Sequence, residues 1–339
     1  MKIGFLDNQI NERGGTMQAF LYAKYARDIL GHSVTMIYPK IRYMYEESAW
    51  TRRKRIWLSH VSGRYREKIK VPFDQKMADK VVRGGIELKQ VSLDEDLGQF
   101  DAIHHIKLGK NDDFRPKGAR YWVHAVSVAS QRHGDRYAAV SSWLGRRDGV
   151  PYVPNLVVYA DDSGNLRQQL GIPQDGIVFA RYGARGTFDI PWVWDAISQA
   201  LERSKNVFFL FANTDVKLRH ERIFDLPTMY DGEVSLEIQK RRFVNTCDAM
   251  LHARVSGETF GIAVGEFAVC HKPILTYAQS PERSHLEMLR HPVLYNDVPE
   301  LLRAIEMIAS GNGPQEDGGA YRDCTGEKVI KIFDQVFIQ

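Results

Sequence analysis

The chain has 339 residues, of which 44% are hydrophobic and 26% charged, and a net charge of +4. This length suits two domains of ordinary size, each with its own core, and the composition requires no large disordered part. So mild a charge permits anionic ligands but does not argue for nucleic acid, which usually demands a stronger basic bias.

The opening Met-Lys-Ile-Gly-Phe-Leu-Asp reads as a strand, Lys2 to Leu6, rather than a signal peptide. No uninterrupted apolar run reaches membrane-spanning length, so a soluble, cytoplasmic protein is expected. A polar loop follows and ends in Arg13-Gly14-Gly15-Thr16. Thr16 can cap a helix whose apolar positions Met17, Phe20, Leu21, Ala26, Ile29 and Leu30 cluster on one side, and Gly31 stops it. Ser33 to Tyr38 is the next strand. The glycine pair of this βαβ start lets backbone approach a ligand, although turn geometry explains it equally. The fingerprint Gly-x-Gly-x-x-Gly is absent, which argues against a nicotinamide enzyme.

Residues 41–70 are the least regular part. Basic residues from Arg52 to Lys70 alternate with Trp57, His60 and Tyr65. They form either a solvated helical face or a platform for an anionic membrane surface, a phosphorylated or lipid-linked acceptor, or a polyanionic glycan. Strands are predicted at Ile86 to Val91, Phe100 to Ile106, Tyr121 to Val126 and Tyr137 to Val140. His124 lies at the carboxyl end of the third of these, where open α/β sheets place their ligands; a structural histidine is the alternative. His104 and His105 face opposite sides of one strand and make no metal pair. Asp94-Glu-Asp96 contains an Asp-x-Asp, but in a polar loop before a strand, and no metal is expected. Pro151 and Pro154 stiffen an extended connection that places a domain boundary near Asn155 to Asp161.

The second half repeats the alternation. Strands are predicted at Ile177 to Tyr182, Val207 to Ala212, Ala249 to Ala253 and Pro273 to Tyr277, with helices at Pro191 to Glu202, Leu236 to Asn245 and Pro299 to Ala309. A last helix at Glu327 to Phe337 has a broad apolar face. Such alternation predicts a doubly wound parallel sheet with right-handed crossovers. Cys247, Cys270 and Cys324 are odd in number and widely spaced, which suits reduced thiols. The stretch Arg254 to Pro273 joins an apolar strand, a glycine-bearing turn and a helix that Thr259 can start. Glu258 and Glu266 lie a little over two helical turns apart, so both can point beyond the strand ends. Between them the first helical amides, around Phe260 and Gly261, suit a phosphate or diphosphate. Acids for hydroxyls and amides for phosphate describe a sugar-nucleotide site; an ordinary amphipathic helix with two surface glutamates is the alternative.

The pattern Ser-Gly-Glu-Thr-Phe-Gly-x-x-x-x-Glu, trailed by Lys-Pro-Ile-Leu-Thr, resembles the Glu-x7-Glu element of retaining GT-B glycosyltransferases of the glycogen synthase and sucrose synthase type (family 4-like, glycosyl transferases group 1). The glycine pair at Gly15, the Val-His at His124, and Arg181-Tyr-Gly-Ala-Arg185-Gly are similar to that family's amino-terminal loop, sugar-side histidine and Gly-Arg turn. The resemblance implies an α/β GT-B fold of two Rossmann-like domains facing a cleft. Residues 1–157 would form the acceptor-side domain and 158–326 the domain binding the nucleotide sugar, with the helix at 327–337 crossing back to the first.

The implied activity is a retaining, metal-independent transfer from a nucleotide-diphosphate sugar to a glycan, lipid-linked or protein-linked acceptor in glycan biosynthesis. Glu258, Arg185 and His124 would act at the reacting sugar. Gly15, Arg181, Gly183, Thr259, Phe260, Gly261 and Glu266 would hold the donor, Glu266 through the ribose hydroxyls. The family's lysine after the arginine is missing, its place being taken by Thr187-Phe-Asp-Ile, so Arg181 or another cation must supply the second charge. A non-catalytic sugar-nucleotide or glycan-binding protein of this fold, or a sugar-nucleotide epimerase, is the alternative.

Overall fold

A computed structural model of the chain describes residues 1–39, 41–44, 67–70, 73–112, 114–226 and 234–339. It divides into two compact units, Met1–Ile106 with Asp112–Val123, and Lys107–Asn111 with His124–Gln339. Of the predicted basic platform, residues 52–66 lie outside the described residues. Among the described residues, no helix is long and apolar enough to cross a membrane.

The first sheet begins with β1 (Lys2–Leu6), α1 (Gly14–Asp28) and β2 (Ser33–Pro39). A short antiparallel ribbon follows, β3 (Ile41–Met44) with β4 (Glu67–Lys70). Then come α2 (Gln75–Arg83), β5 (Glu87–Val91), β6 (Ala102–Lys107), β7 (Arg120–Ala125) and β8 (Arg136–Ala139). The strand order is β5-β2-β1-β6-β7-β8. β1 is a near-continuous apolar run because it is covered on both faces, as a central parallel strand must be. Thr16 does not cap α1, which starts two residues earlier; its hydroxyl instead donates to the Gln9 carbonyl at 2.9 Å and ties down the preceding loop.

The second sheet is built from β9 (Ile177–Tyr182), β10 (Val207–Ala212), β11 (Ile223–Leu226), β12 (Ala249–His252), β14 (Ile274–Tyr277) and β16 (Val293–Tyr295). All its pairs are parallel, in the order β11-β10-β9-β12-β14-β16. A two-residue pair, β13 (Gly257–Glu258) with β15 (Glu282–Arg283), lies outside it. Before β9 stand α3 (Ser142–Asp148) and α4 (Arg167–Leu170). The crossovers are α5 (Val193–Arg203), α6 (Leu236–Thr246), α7 (Ile262–Ala268) and α8 (Ser284–Met288), followed by α9 (Val298–Ala309) and α10 (Gly326–Phe333). Helices α5 and α9 close one face over Phe179, Phe209, Phe211 and Leu275, all fully buried. Each such side chain contributes roughly 1.5–3 kcal/mol through removal from water.

Strand membership changes from the first sheet to the second between Ala139 and Ile177, the interval that contains the predicted boundary. Packing divides the chain earlier, at His124, because the segment after it is bound to the carboxyl terminus. The Val157 amide donates to the Cys324 carbonyl at 2.8 Å, and the turn Asp334–Ile338 after α10 packs on β8.

Candidate functional site

The chain leaves β9 to form β10 and β11 on one side, then returns through α6 to β12 on the other side of β9. Loops after β9 and β12 therefore diverge, and a crevice opens at the carboxyl ends of these two strands. That topology alone makes neighbours of Arg181 and Tyr182 at the end of β9, with Gly183 and Arg185 in the loop after it, and of His252 at the end of β12, with Arg254 and Glu258 after it.

Glu258 is half-buried, and both its oxygens are engaged. Arg254 donates to Oε2 at 2.8 Å, and His252 Nε2 lies 3.4 Å from Oε1. Burial alone would raise its pKa, but the hydrogen bond and charge of His252 together with Arg254 outweigh it and bring the carboxyl down to about 2. An ionised, braced carboxylate that retains some solvent access can accept from ligand hydroxyls and stabilise positive charge. Behind it, His252 Nδ1 lies 2.9 Å from Thr276 Oγ1, which lies 3.1 Å from His285 Nε2. Burial, helped by the charge of His252, lowers the His285 pKa to about 3.

The two arginines of the β9 loop have different settings. Arg185 is exposed; its Nε donates to Asn213 Oδ1 at 3.2 Å, and Asp215 lies 4.0 Å from it. Asn213 takes a left-handed backbone at φ 49° and donates to the Gly183 carbonyl, so the turn after β10 steadies the loop that carries Arg185. Arg181 is enclosed beside the Phe188 ring and donates to Thr214 at 2.6 Å, to the Ala184 carbonyl and to Thr187. Burial lowers its pKa to about 10, still cationic at neutral pH. Arg181 therefore braces the loop from beneath, and the threonine that stands where a lysine is expected is one of its ligands. A side chain at Gly183 would place its Cβ 2.8 Å from the Arg181 guanidinium, which explains the glycine.

Glu266 points from α7 toward the end of β9, with both oxygens engaged: Lys240 of α6 donates at 2.7 Å and the Tyr182 hydroxyl donates to the other. The carboxylate is buried, and burial beside it pushes the Tyr182 pKa far up.

The helix after Glu258 begins later than predicted. Gly261 is its N-cap residue in a left-handed conformation at φ 84°, and the first intrahelical bond runs from Gly265 N to Gly261 O. Its first-turn amides are thus those of Ile262 to Val264, not Thr259 to Gly261. Thr259 is not a cap: its hydroxyl donates to the Val126 carbonyl at 2.5 Å. The Phe260 carbonyl accepts from Tyr321 at 2.5 Å while its ring packs edge-on to that tyrosine.

His124 also departs from expectation. It is fully buried, with Nε2 donating to the Val153 carbonyl at 2.8 Å and its ring edge-on to Phe337. Burial lowers its pKa to about 4. It is enclosed as a packing residue of the second unit rather than presented to a sugar. In the first unit, Gly15 is exposed in the first turn of α1. That unit's own strand order reverses between β1 and β6. At those strand ends Asn8 Nδ2 lies 2.9 Å from His105 Nε2, whose Nδ1 lies 2.8 Å from the Tyr121 hydroxyl.

The residues that sequence reasoning missed are His252, Arg254, Thr276 and His285 around Glu258, and Tyr182 and Lys240 around Glu266. For Arg254 a signal existed, since it precedes Glu258 by four positions. The others come from separate elements and carry no motif.

No family model and no curated protein matches the chain. Solved structures do match along nearly its whole length. HepE from Anabaena in complex with UDP-glucose is 14% identical with a TM-score of 0.61, covering 99% of this chain and 98% of that one. A glycosyltransferase from Rickettsia africae is 12% identical with a TM-score of 0.61, covering 100% and 99%. A putative UDP-N-acetylglucosamine 2-epimerase from Listeria monocytogenes is 10% identical with a TM-score of 0.52, covering 95% and 94%. At such identities the likeness is one of architecture, and with two doubly wound parallel sheets, each reversing its strand order once, the chain has the GT-B fold.

Proposed function

We propose that the protein is a glycosyltransferase that moves a sugar from a nucleotide-diphosphate sugar to a glycan, lipid-linked or protein-linked acceptor. The observation that carries this reading is Glu258: ionised, braced on both oxygens and partly open at the switch point of the second sheet. The neighbouring structure with UDP-glucose bound gives it support. In the proposed reaction the bond from the anomeric carbon to phosphate breaks, its electron pair leaves with the diphosphate, and positive charge builds on the ring. Glu258 would hold sugar hydroxyls and stabilise that charge, and Arg185 would meet the departing diphosphate. Glu266 would accept from the ribose hydroxyls after exchanging one of its present partners. Transfer would proceed with retention, the acceptor attacking on the face from which the diphosphate leaves, and without a metal.

The second reading, a sugar-nucleotide epimerase, draws on the Listeria structure. A panel of UDP-, GDP-, ADP- and TDP-sugars tests both. A rise in melting temperature with one nucleotide family, followed by release of that nucleoside diphosphate, supports the transferase; an isomerised sugar nucleotide without release supports the epimerase. No shift with any donor overturns both. Glu258→Gln is expected to lower release about 10²–10³-fold, the usual effect of removing one charge-stabilising group.

A further inference from the structure

A diphosphate carries more than one negative charge, and the exposed Arg185 supplies one cation to meet it. Arg181 is not a second: it is buried and already donates to Thr214, to the Ala184 carbonyl and to Thr187. Lys240 is paired with the buried carboxylate of Glu266 at 2.7 Å. On the other side of the crevice, the loop after β12 carries Arg254. Its side chain is 32% exposed, and among the described residues its one hydrogen-bonding partner is Glu258, to which Nη1 donates at 2.8 Å. A guanidinium has five N–H donors in a planar fork, so a single bond to Glu258 leaves donors for a second anion.

The backbone that carries Arg254 is fixed on both sides. The Asp189 amide donates to the Ala253 carbonyl at 3.0 Å, and Asp189 Oδ1 accepts from the Val255 amide at 2.7 Å, so the residues before and after Arg254 are fastened to the β9 loop. The Arg254 carbonyl accepts from the Ser280 hydroxyl at 3.0 Å and from the Gly257 amide at 3.1 Å. A ligand that meets this arginine has little loop left to order, which lowers the cost of binding. Burial above all, and then the charge of Arg254, lower the pKa of Arg181, so the buried and the accessible guanidinium share one end of the sheet.

We propose that Arg254 is the second cation for the diphosphate, bridging Glu258 and the phosphate that bears the sugar, with Arg185 on the opposite loop. The inference rests on the glycosyltransferase reading. In a nucleotide-diphosphate sugar the sugar is bonded to the β-phosphate, so a group attached to the carboxylate that holds the sugar stands beside that phosphate rather than the α-phosphate. When the bond from the anomeric carbon to oxygen breaks, its electron pair stays on the β-phosphate oxygen. Arg254 donates N–H bonds to that growing charge and keeps its own protons.

Calorimetry on the full-length protein with UDP and UMP, or with the same pair for whichever base raises the melting temperature, tests this, because the monophosphate lacks the β-phosphate. Arg254→Met should weaken UDP about 10- to 100-fold, the loss of one charge-assisted contact, and leave UMP unchanged. Arg254→Lys, which keeps the charge, should recover part of the UDP affinity. If Arg254→Met does not fold, Arg254→Gln, which keeps a donor beside Glu258 but no charge, should show the same selective loss. Weaker UDP-glucose with unchanged UDP would mean that Arg254 only braces Glu258, and equal weakening of UDP and UMP would mean a general loss of the site; either result overturns the bridge. Wild type that binds no nucleoside diphosphate of the four bases overturns the donor reading itself, whereas UDP binding that Arg254→Met leaves intact overturns the bridge alone.

Discussion

At the scale of single residues, the sign of each pKa shift separates charge kept for chemistry from charge removed by packing. Glu258 has a folded pKa of about 2, below the ordinary 4.5, so its contribution to stability is complete above the ordinary value and is lost as pH falls toward 2. It stays ionised across the working range, and the ratio of wild-type to Glu258→Gln activity should therefore be constant from roughly pH 5 to 9. A ratio that changes through that range would show that the carboxylate titrates there. His124 and His285 behave in the opposite way, since burial favours their neutral forms, at about 4 and about 3 against an ordinary 6.5. Below pH 6.5 the unfolded chain binds protons that the folded chain refuses, so unfolding free energy should fall by about 1.4 kcal/mol per pH unit for each histidine. Urea titrations between roughly pH 6.5 and 4.5 should show a shallower slope in His124→Gln than in wild type. The motif made Glu258 and Arg185 legible, but not His252 or His285, because a lone histidine, in a strand or in a short helix, reads the same whether it supports a carboxylate or fills a core.

At the scale of elements, strand and helix identities followed from periodicity, whereas helix starts depended on partners elsewhere in the chain. Thr259 has the side chain of a cap, but Val126, 133 positions away, takes its hydroxyl. Gly261 caps in its place because only glycine takes φ 84° at little strain. The edge strands β11 and β16 escaped prediction because they are short and bounded by polar residues. The contact between α6 and α7 permits a sharper test. Lys240→Met would leave Glu266 with Tyr182 as its partner among the contacts described, so the variant should lose about 3 kcal/mol of stability in urea unfolding. Lys240→Met combined with Glu266→Gln should recover most of that loss. If the single variant is as stable as wild type, the pair contributes no structure, and Glu266 is held for a ligand alone.

At the scale of the molecule, the segment from His124 to Val157 precedes the second sheet in sequence yet packs with the carboxyl terminus. Phe337 is fully buried against His124 and Phe333, so Phe337→Ala should cost roughly 3–5 kcal/mol. Hydrogen exchange should then quicken in β8 and around Val153 more than in β1. Uniform quickening across both units would mean instead that the chain unfolds as one body.

The sequence by itself determined the alternation of strands and helices, hence two doubly wound parallel sheets, and the placing of two glutamates and a Gly-Arg turn after strands, because hydrophobic period and turn chemistry are local properties. Only the tertiary structure decided which of these groups stand open and which are already engaged. Arg181 is held by Thr214 and by Thr187 of its own loop, Glu266 by Tyr182 and Lys240, and His124 by Val153; apart from Thr187, these partners are brought close by the fold rather than by spacing. A side chain's charge is written in its residue type, but its availability depends on what the fold places within hydrogen-bonding reach.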